Sequence, residues 1–548
     1  MKFYHLSLLA IVSTLFACKQ PASFDLLVYN AKIYTVDDSF SVAEAMVIDD
    51  GKIIATGTKE VLEQDFSCVQ TLDAKGKFIY PGFIDAHAHF VGYASGLLTV
   101  ELTGTQSWKE IIEKLRDFAK KNPEGWIIGR GWDQNDWENK SFPTNKELNK
   151  LFPFRPVILT RIDGHAAIAN QQALTLAKVD FKEAITGGEV VTQNGVPTGL
   201  LIDNAVDLVT KEIPPLSDQL FKESLLKAQA NCLSVGLTTI DDCGLDAGTI
   251  EKIKSLQQEG SLQIRVYAML SDHPDNYRYA EKNGILITER LTVRSFKVYG
   301  DGALGSRGAC LLKPYHDQKD HYGFLLSNPS HFDSVANWCL RNGWQMNTHA
   351  IGDSGNRVIL NTYAKYLSQK PNQDLRWRIE HAQVVDTVDL QLFGNHKIIP
   401  SVQPTHATSD MYWAENRLGE ERIASAYAFK NLKDQNGWIP LGTDFPVEDI
   451  SPFKTFCAAV FRQDSKGWPA NGFQIDNALS REEAIRGMTI WAARSNFEEK
   501  NKGSLEKGKW ADFVIVDTDL MNATVSECYQ AKVLYTFING KQLYKSAK

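Results

Sequence analysis

Between Pro81 and Phe497 short β-branched runs alternate with helical stretches. The runs that predict strands are GFIDAHAH, LTTIDDCG, QIRVYAML, VRSFKVYGDG, WQMNTHAIG, RWRIEHAQ, KIIPSVQPTH and WIPLGTDFP. They are close to continuously apolar, as a parallel sheet covered on both faces requires. Eight such units predict an α/β fold, a closed (β/α)8 TIM-like barrel over residues 81–499 whose reaction site lies at the carboxyl ends of the strands. Roughly 150 residues separate the first two runs, too many for one βα connection. The excess, about residues 100–225, carries GWIIGRGWDQNDWENKSFP, RIDGHAAIAN and the turn Gly187-Gly188, and reads as an inserted lobe over the barrel mouth.

Both ends of the chain have a different rhythm. Residues 24–80 contain DLLVYNAKIYTV, AMVIDDGKIIATG and TLDAKGKFIY, and residues 500–548 contain WADFVIVD, KVLYTFING and KQLY. Near-alternation of apolar positions is broken by Asn30, by Asp49-Asp50-Gly51 and by Lys75-Gly76, which are hairpin signals. The two ends together predict a small β-sandwich domain, with two unrelated β appendages as the alternative. Ahead of them, Met1 to Ala17 read as a secretory signal: Lys2 supplies a positive start and LSLLAIVSTLF is an apolar run too short to span a bilayer. It ends in Leu15-Phe16-Ala17-Cys18, followed by a polar stretch. This resembles the lipobox of bacterial lipoproteins, which implies lipidation of Cys18 and a protein held on the cell envelope. An ordinary cleaved signal is the alternative.

Hydrophobic residues are 43% of the 548, charged residues 23% and aromatics 10%, which excludes disorder and a multi-span membrane protein. A net charge of −7 gives no global attraction for nucleic acid, so the only membrane contact expected is the lipid anchor. Eight cysteines are too few for a disulfide scaffold. A small molecule in a pocket is the default partner, and a homodimer is compatible with it.

Candidate chemistry sits at the strand ends. His87 and His89 lie two apart, so on a strand both imidazoles face one side and one metal. Other runs end in Lys297, His349, His381 and Asp444. Alone, an HxH pair is weak; four of the 12 histidines at strand ends aimed toward one mouth are not.

These residues carry a resemblance. PGFIDAHAH, the other strand ends and the tail GSLEKGKWADFVIVD resemble the amidohydrolase superfamily. GWDQNDW, DGHAA, KVYGDGALGSRGA, NTHAIGD, IEHAQ and LGTDFPVE resemble its amidohydrolase-3 (YtcJ-like) branch. The likeness covers about residues 24–540. It implies a metal-dependent hydrolase of non-peptide C–N bonds, in amides, N-acyl or N-formyl compounds or cyclic imides. It implies two divalent metal ions: His87, His89, Lys297 and Asp444 around one, and His349, His381 and Lys297 around the other. A protonated lysine cannot ligate a metal. The resemblance therefore implies a carboxylated Lys297, whose carbamate offers an oxygen to each ion; burial disfavours the ammonium and favours that reaction. Zinc suits such ligands, as do iron and manganese.

Asp444 is the expected catalytic proton shuttle, from water to the leaving nitrogen. His165 in DGHAA is placed to polarise the carbonyl or its oxyanion, or else caps a helix. Arg307 in GALGSRGA is a candidate to bind a substrate carboxylate. Trp132, Asp133 and Trp137 are candidates for a pocket wall, with packing aromatics as the alternative, and Arg130 is a further, weaker candidate. The segment GDGALGSRG lacks the GxxxxGK[ST] pattern of a phosphate loop. Two other functions stay open: a mononuclear heterocycle deaminase, distinguished by one metal per chain, and a non-catalytic ligand-binding lipoprotein, distinguished by absence of turnover. The same hydroxide also suits a phosphoester or lactone.

Overall fold

The computed structural model describes residues 23–181 and 185–547; the leader and Cys18 lie outside them. Seven strands form one parallel sheet in chain order: β1 (Phe83–Ala88), β2 (Leu237–Leu245), β3 (Arg265–Ser271), β4 (Leu291–Tyr299), β5 (Gln345–Ala350), β6 (Arg378–His381) and β7 (Ile399–Ser401). The eighth run, WIPLGTDFP, is not a regular strand. Pro440 has no N–H to donate, and Asp444 stands at φ 63°, so a full ladder cannot form. Residues 440–444 nevertheless bridge the gap. Val402 N donates to Pro440 O at 3.2 Å and Gly442 N to Val402 O at 3.0 Å. On the other side Ala86 N reaches Leu441 O at 3.2 Å and Asp444 N reaches His87 O at 2.7 Å. Gly442 allows this approach, since a Cβ there would stand 2.5 Å from His87 N. The result is a nearly closed barrel.

Helices between the strands start and stop on local signals. Ser217 caps Asp218–Ser234 by accepting from Leu220 N, and Asp246 caps Ala247–Gln258 by accepting from Thr249 N. Pro329 opens Pro329–Asn342, and Gly343 at φ 72° ends it. Their inner faces, including Phe221, Leu225, Ile250, Ile253 and Phe332, join the strands in one apolar core. Burial is therefore complete along β1 and β5 even though both carry polar residues.

Strands from both chain ends pair in a second, eight-stranded sheet, where Val514 lies opposite Tyr80 and Ile515 opposite Ile79. Of the hairpin signals, only Asp50-Gly51 is a turn: both residues have positive φ (46° and 71°) and join Ala45–Asp49 to Lys52–Gly57. Asn30 and Lys75-Gly76 are not hairpins. They face each other as irregularities inside the parallel pair Ser23–Tyr34 and Ser67–Pro81, where Asn30 Nδ2 donates to Asp73 Oδ1 at 2.7 Å. A third sheet has six strands, Val100–Glu101, Ile127–Trp132, Val157–Arg161, Ala166–Ala169, Gly188–Gln193 and Val196–Asp203. All fall between β1 and β2.

Candidate active site

The strand ends converge. His87 lies on β1 and His89 just after it, Lys297 on β4, His349 on β5, His381 at the end of β6 and Asp444 in the closing segment. Ring centroids of His87 and His381 are 4.8 Å apart, and those of His349 and His381 4.5 Å. His89 Nε2 lies 3.1 Å and His87 Nε2 3.5 Å from Asp444 Oδ1. Lys297 Nζ is 3.2 Å from His87 Nε2.

Behind this group stands a layer that sequence reasoning missed. His87 Nδ1 meets Glu380 Oε2 at 2.6 Å, and Glu380 Oε1 accepts from Arg378 Nε at 2.7 Å. Strand alternation places Glu380 on the face opposite His381. The chain breaks alternation there, because His381 (φ 75°) and Ala382 (φ 42°) both leave the β region. His406, on the helix Pro404–Asp410, was missed too: its Nε2 lies 3.3 Å from Asp444 Oδ2 and its Nδ1 3.0 Å from Glu448 Oε1. The seventh run, KIIPSVQPTH, ends on this histidine, and that was the available signal. Glu380 fixes the His87 ring and makes its other nitrogen a stronger electron-pair donor. Glu380→Gln is accordingly expected to weaken zinc affinity about 10- to 100-fold in a competition titration with a metal indicator, with the circular dichroism spectrum unchanged.

The electrostatics suit a cation. Burial, with Lys297 nearby, lowers the His87 imidazole to about 4, and burial drives His349 and His381 well below the ordinary value. These rings are neutral, with lone pairs to offer. Burial works to raise Asp444, but His87, His406 and His89 hold it well below the carboxylate range. Ligand atoms of His87, His381 and Asp444 all lie within 4.8 Å of one another. His381 Nδ1 is enclosed and has no hydrogen-bond partner, and the enclosed Asp444 Oδ1 faces only the Nε2 atoms of His89 and His87. Buried imidazole nitrogens gathered round a carboxylate oxygen fit a metal ion. Lys297 as an ammonium does not fit, since it takes the lone pair His87 would offer. Burial does work to lower this amine, as the sequence leads one to expect, while the nearby acids Glu380 and Asp444 act to raise it.

Two connected cavities open above the group, of about 700 Å³ and 360 Å³, and both are lined by His165, His349, His381 and Asp444. His165 comes from the six-stranded sheet region and faces His349, with centroids 4.9 Å apart. Its Nδ1 is 2.5 Å from Oδ1 of Asp203, a buried carboxylate that no sequence signal linked to it. Asp133 lines the larger cavity and is paired with Arg161, another residue missed from sequence. Trp132 is not a cavity wall. It is completely buried beside Trp137 and Phe142, with Nε1 donating to Leu159 O at 2.8 Å. Arg307 lies outside both linings and is held by Asp317, 2.8 Å from Nη2.

A buried His/His/Asp group at the carboxyl ends of a parallel barrel defines the class: a barrel enzyme with a candidate metal centre. A model of the amidohydrolase family matches residues 70–544, and the chain belongs to that family, whose members are hydrolases. It is 33% identical to Protein LONG AFTER FAR-RED 3 of Arabidopsis thaliana over 97% of this chain and 94% of that one. It is 29% identical to the amidohydrolase YtcJ of Bacillus subtilis over 94% and 98%. With the N-substituted formamide deformylase of Arthrobacter pascens it shares 26% over 95% and 98%. Among solved structures, a metal-dependent hydrolase from Pyrococcus horikoshii superposes with a TM-score of 0.74, at 29% identity, covering 91% of this chain and 99% of that one.

Proposed function

We propose that this chain hydrolyses a non-peptide carbon–nitrogen bond, in an amide, N-acyl or N-formyl compound or cyclic imide, with two divalent metal ions. His87, His89, Lys297 and Asp444 hold one ion; His349, His381 and a carboxylated Lys297 hold the other, with zinc the best match to imidazole and carboxylate. The observation that carries this reading is the buried cluster of His87, His381 and Asp444 ligand atoms within 4.8 Å of one another, with His381 Nδ1 making no hydrogen bond, where His381 and Asp444 line the cavity. The deformylase relative supports an N-formyl substrate. Ions bound there acidify water and polarise a carbonyl. Asp444, kept ionised by His87, His89 and His406, accepts the proton of water and returns it to the departing nitrogen, since an amine leaves poorly unless protonated. His165, fixed through Nδ1 by Asp203, turns its other edge to the cavity, where it stabilises charge developing on the carbonyl oxygen. The six-stranded sheet acts as the inserted lobe that walls this cavity from water, and the eight-stranded sheet as the β-sandwich domain.

Metal analysis per chain and a panel of N-substituted formamides, N-acyl amino acids and cyclic imides test this. Two metal equivalents are expected. Dialysis against a chelator is expected to lower hydrolysis at least about 100-fold, restored by zinc. Chelator-resistant turnover defeats the metal mechanism. One observation favours a second reading, a mononuclear deaminase: the ligand atoms that lie within 4.8 Å of one another, those of His87, His381 and Asp444, suit a single ion. A stoichiometry of one metal per chain supports it. The lipid anchor is a separate proposal, tested by whether Cys18→Ala moves the protein from the membrane to the soluble fraction.

A further inference from the structure

We propose that Arg130 holds a carboxylate of the substrate, which makes the substrate an N-acyl or N-formyl amino acid rather than a neutral amide. This rests on the hydrolase reading above and names the substrate class of that site. Arg130 lies on Ile127–Trp132, and it lines the 360 Å³ cavity together with Lys297, His165 and Asp444. Its guanidinium is mostly enclosed by protein. Nη2 donates to Ile162 O at 3.2 Å, and Nε is enclosed without a partner. Among the described residues no carboxylate lies within ion-pair distance of it. Three wholly buried arginines are matched, Arg161 by Asp133 and Asp163, Arg265 by Asp512 and Arg378 by Asp241 and Glu380, while Arg462, buried without an acid, stacks over Phe429 and Phe473 and lines neither cavity.

Of the acids around Arg130, Glu101, Asp163, Asp444 and Asp203 each hold another group, which for Asp203 is His165. Glu101 is its cross-strand neighbour, yet Glu101 Oε1 accepts from Thr103 N at 2.7 Å. Asp163 accepts from His165 N at 3.0 Å and pairs with Arg161. Asp444 faces His89 and His406. An arginine stays charged, so burying it with one backbone acceptor is costly unless a ligand completes it. Its planar fork matches a carboxylate better than any single oxygen. A carboxylate beside Arg130 keeps the rest of the substrate in the same cavity as His349, His381 and Asp444. Arg307, the carboxylate binder expected from sequence, cannot serve, being paired with Asp317 away from both cavities.

A matched pair of substrates isolates the carboxylate: N-formyl-leucine and N-isopentylformamide, each with the zinc-loaded enzyme. Wild type is expected to favour N-formyl-leucine at least tenfold in kcat/KM. Arg130→Met is expected to lower that ratio about 10- to 100-fold, the loss of a charge-assisted bidentate contact. Arg130→Lys, which keeps the charge and loses the fork, is expected to fall between, and it serves if the methionine variant does not fold. An unchanged ratio, or a wild-type enzyme indifferent to the carboxylate, overturns the assignment and leaves the hydrolase reading standing. Binding decides without turnover. N-formyl-leucine is expected to raise the melting temperature of wild type more than that of either variant, and equal shifts overturn the assignment. Differential stabilisation without hydrolysis of either compound counts against the hydrolase reading alone.

Discussion

Asp444→Asn is expected to leave the barrel folded and to lower kcat by about 10³-fold or more. Asparagine is nearly isosteric, and at φ 63° it is among the side chains that tolerate the left-handed region, so the closing segment is not strained by the change. The amide still offers an oxygen to His406 Nε2, now 3.3 Å from Asp444 Oδ2. Two things are lost: the negative charge that His87, His89 and His406 surround, and the capacity to take up a proton. Melting temperature and metal content of the variant separate these. Retained metal with lost turnover assigns the loss to proton transfer, whereas lost metal assigns it to ligation. Near-wild-type kcat removes Asp444 from the mechanism.

Legibility followed from how each side chain is aimed. His87, Lys297, His349 and His381 stand on strands of one parallel barrel, so a strand-end rule finds them together. His406 escaped because it stands on a helix beyond β7, and Glu380 because the positive φ of His381 defeats the two-residue alternation on which the rule depends. Asp203 is 38 residues from His165, and only the folding of the six-stranded sheet joins them. Trp132 misled for a different reason: a tryptophan in a polar segment suits a pocket wall as well as a core, and only its Nε1 bond to Leu159 O settles which. At the chain ends, positive-φ residues at Asn30 and Lys75 have the composition of turns, yet the long strands run straight through them, since the parallel partner supplies a facing irregularity at the same level.

Arg378→Met is expected to cost about 3–5 kcal/mol of stability, because it strips the cation from two carboxylates that stay buried. Arg378 donates through Nε to Glu380 Oε1 at 2.7 Å, through Nη1 to Asp241 Oδ2 at 3.0 Å and Asn496 Oδ1 at 3.1 Å, and through Nη2 to Ala86 O at 2.6 Å. All three charged side chains are wholly inaccessible. Burial works to raise both acids: Asp241 is pushed up to about 7 even beside Arg378, whereas Arg378, His87 and Lys297 hold Glu380 well below the ordinary carboxylate range. A depressed pKa of this kind contributes stability above the unfolded value of about 4.3, lost only as pH falls through the folded value. Without Arg378, burial dominates and the Glu380 pKa rises, so the variant weakens as pH climbs above that unfolded value. The gap between wild type and Arg378→Met in urea unfolding is therefore expected to be wider at pH 8 than at pH 5. A gap that is small at both, or equal at both, shows that Glu380 does not depend on Arg378 for its charge.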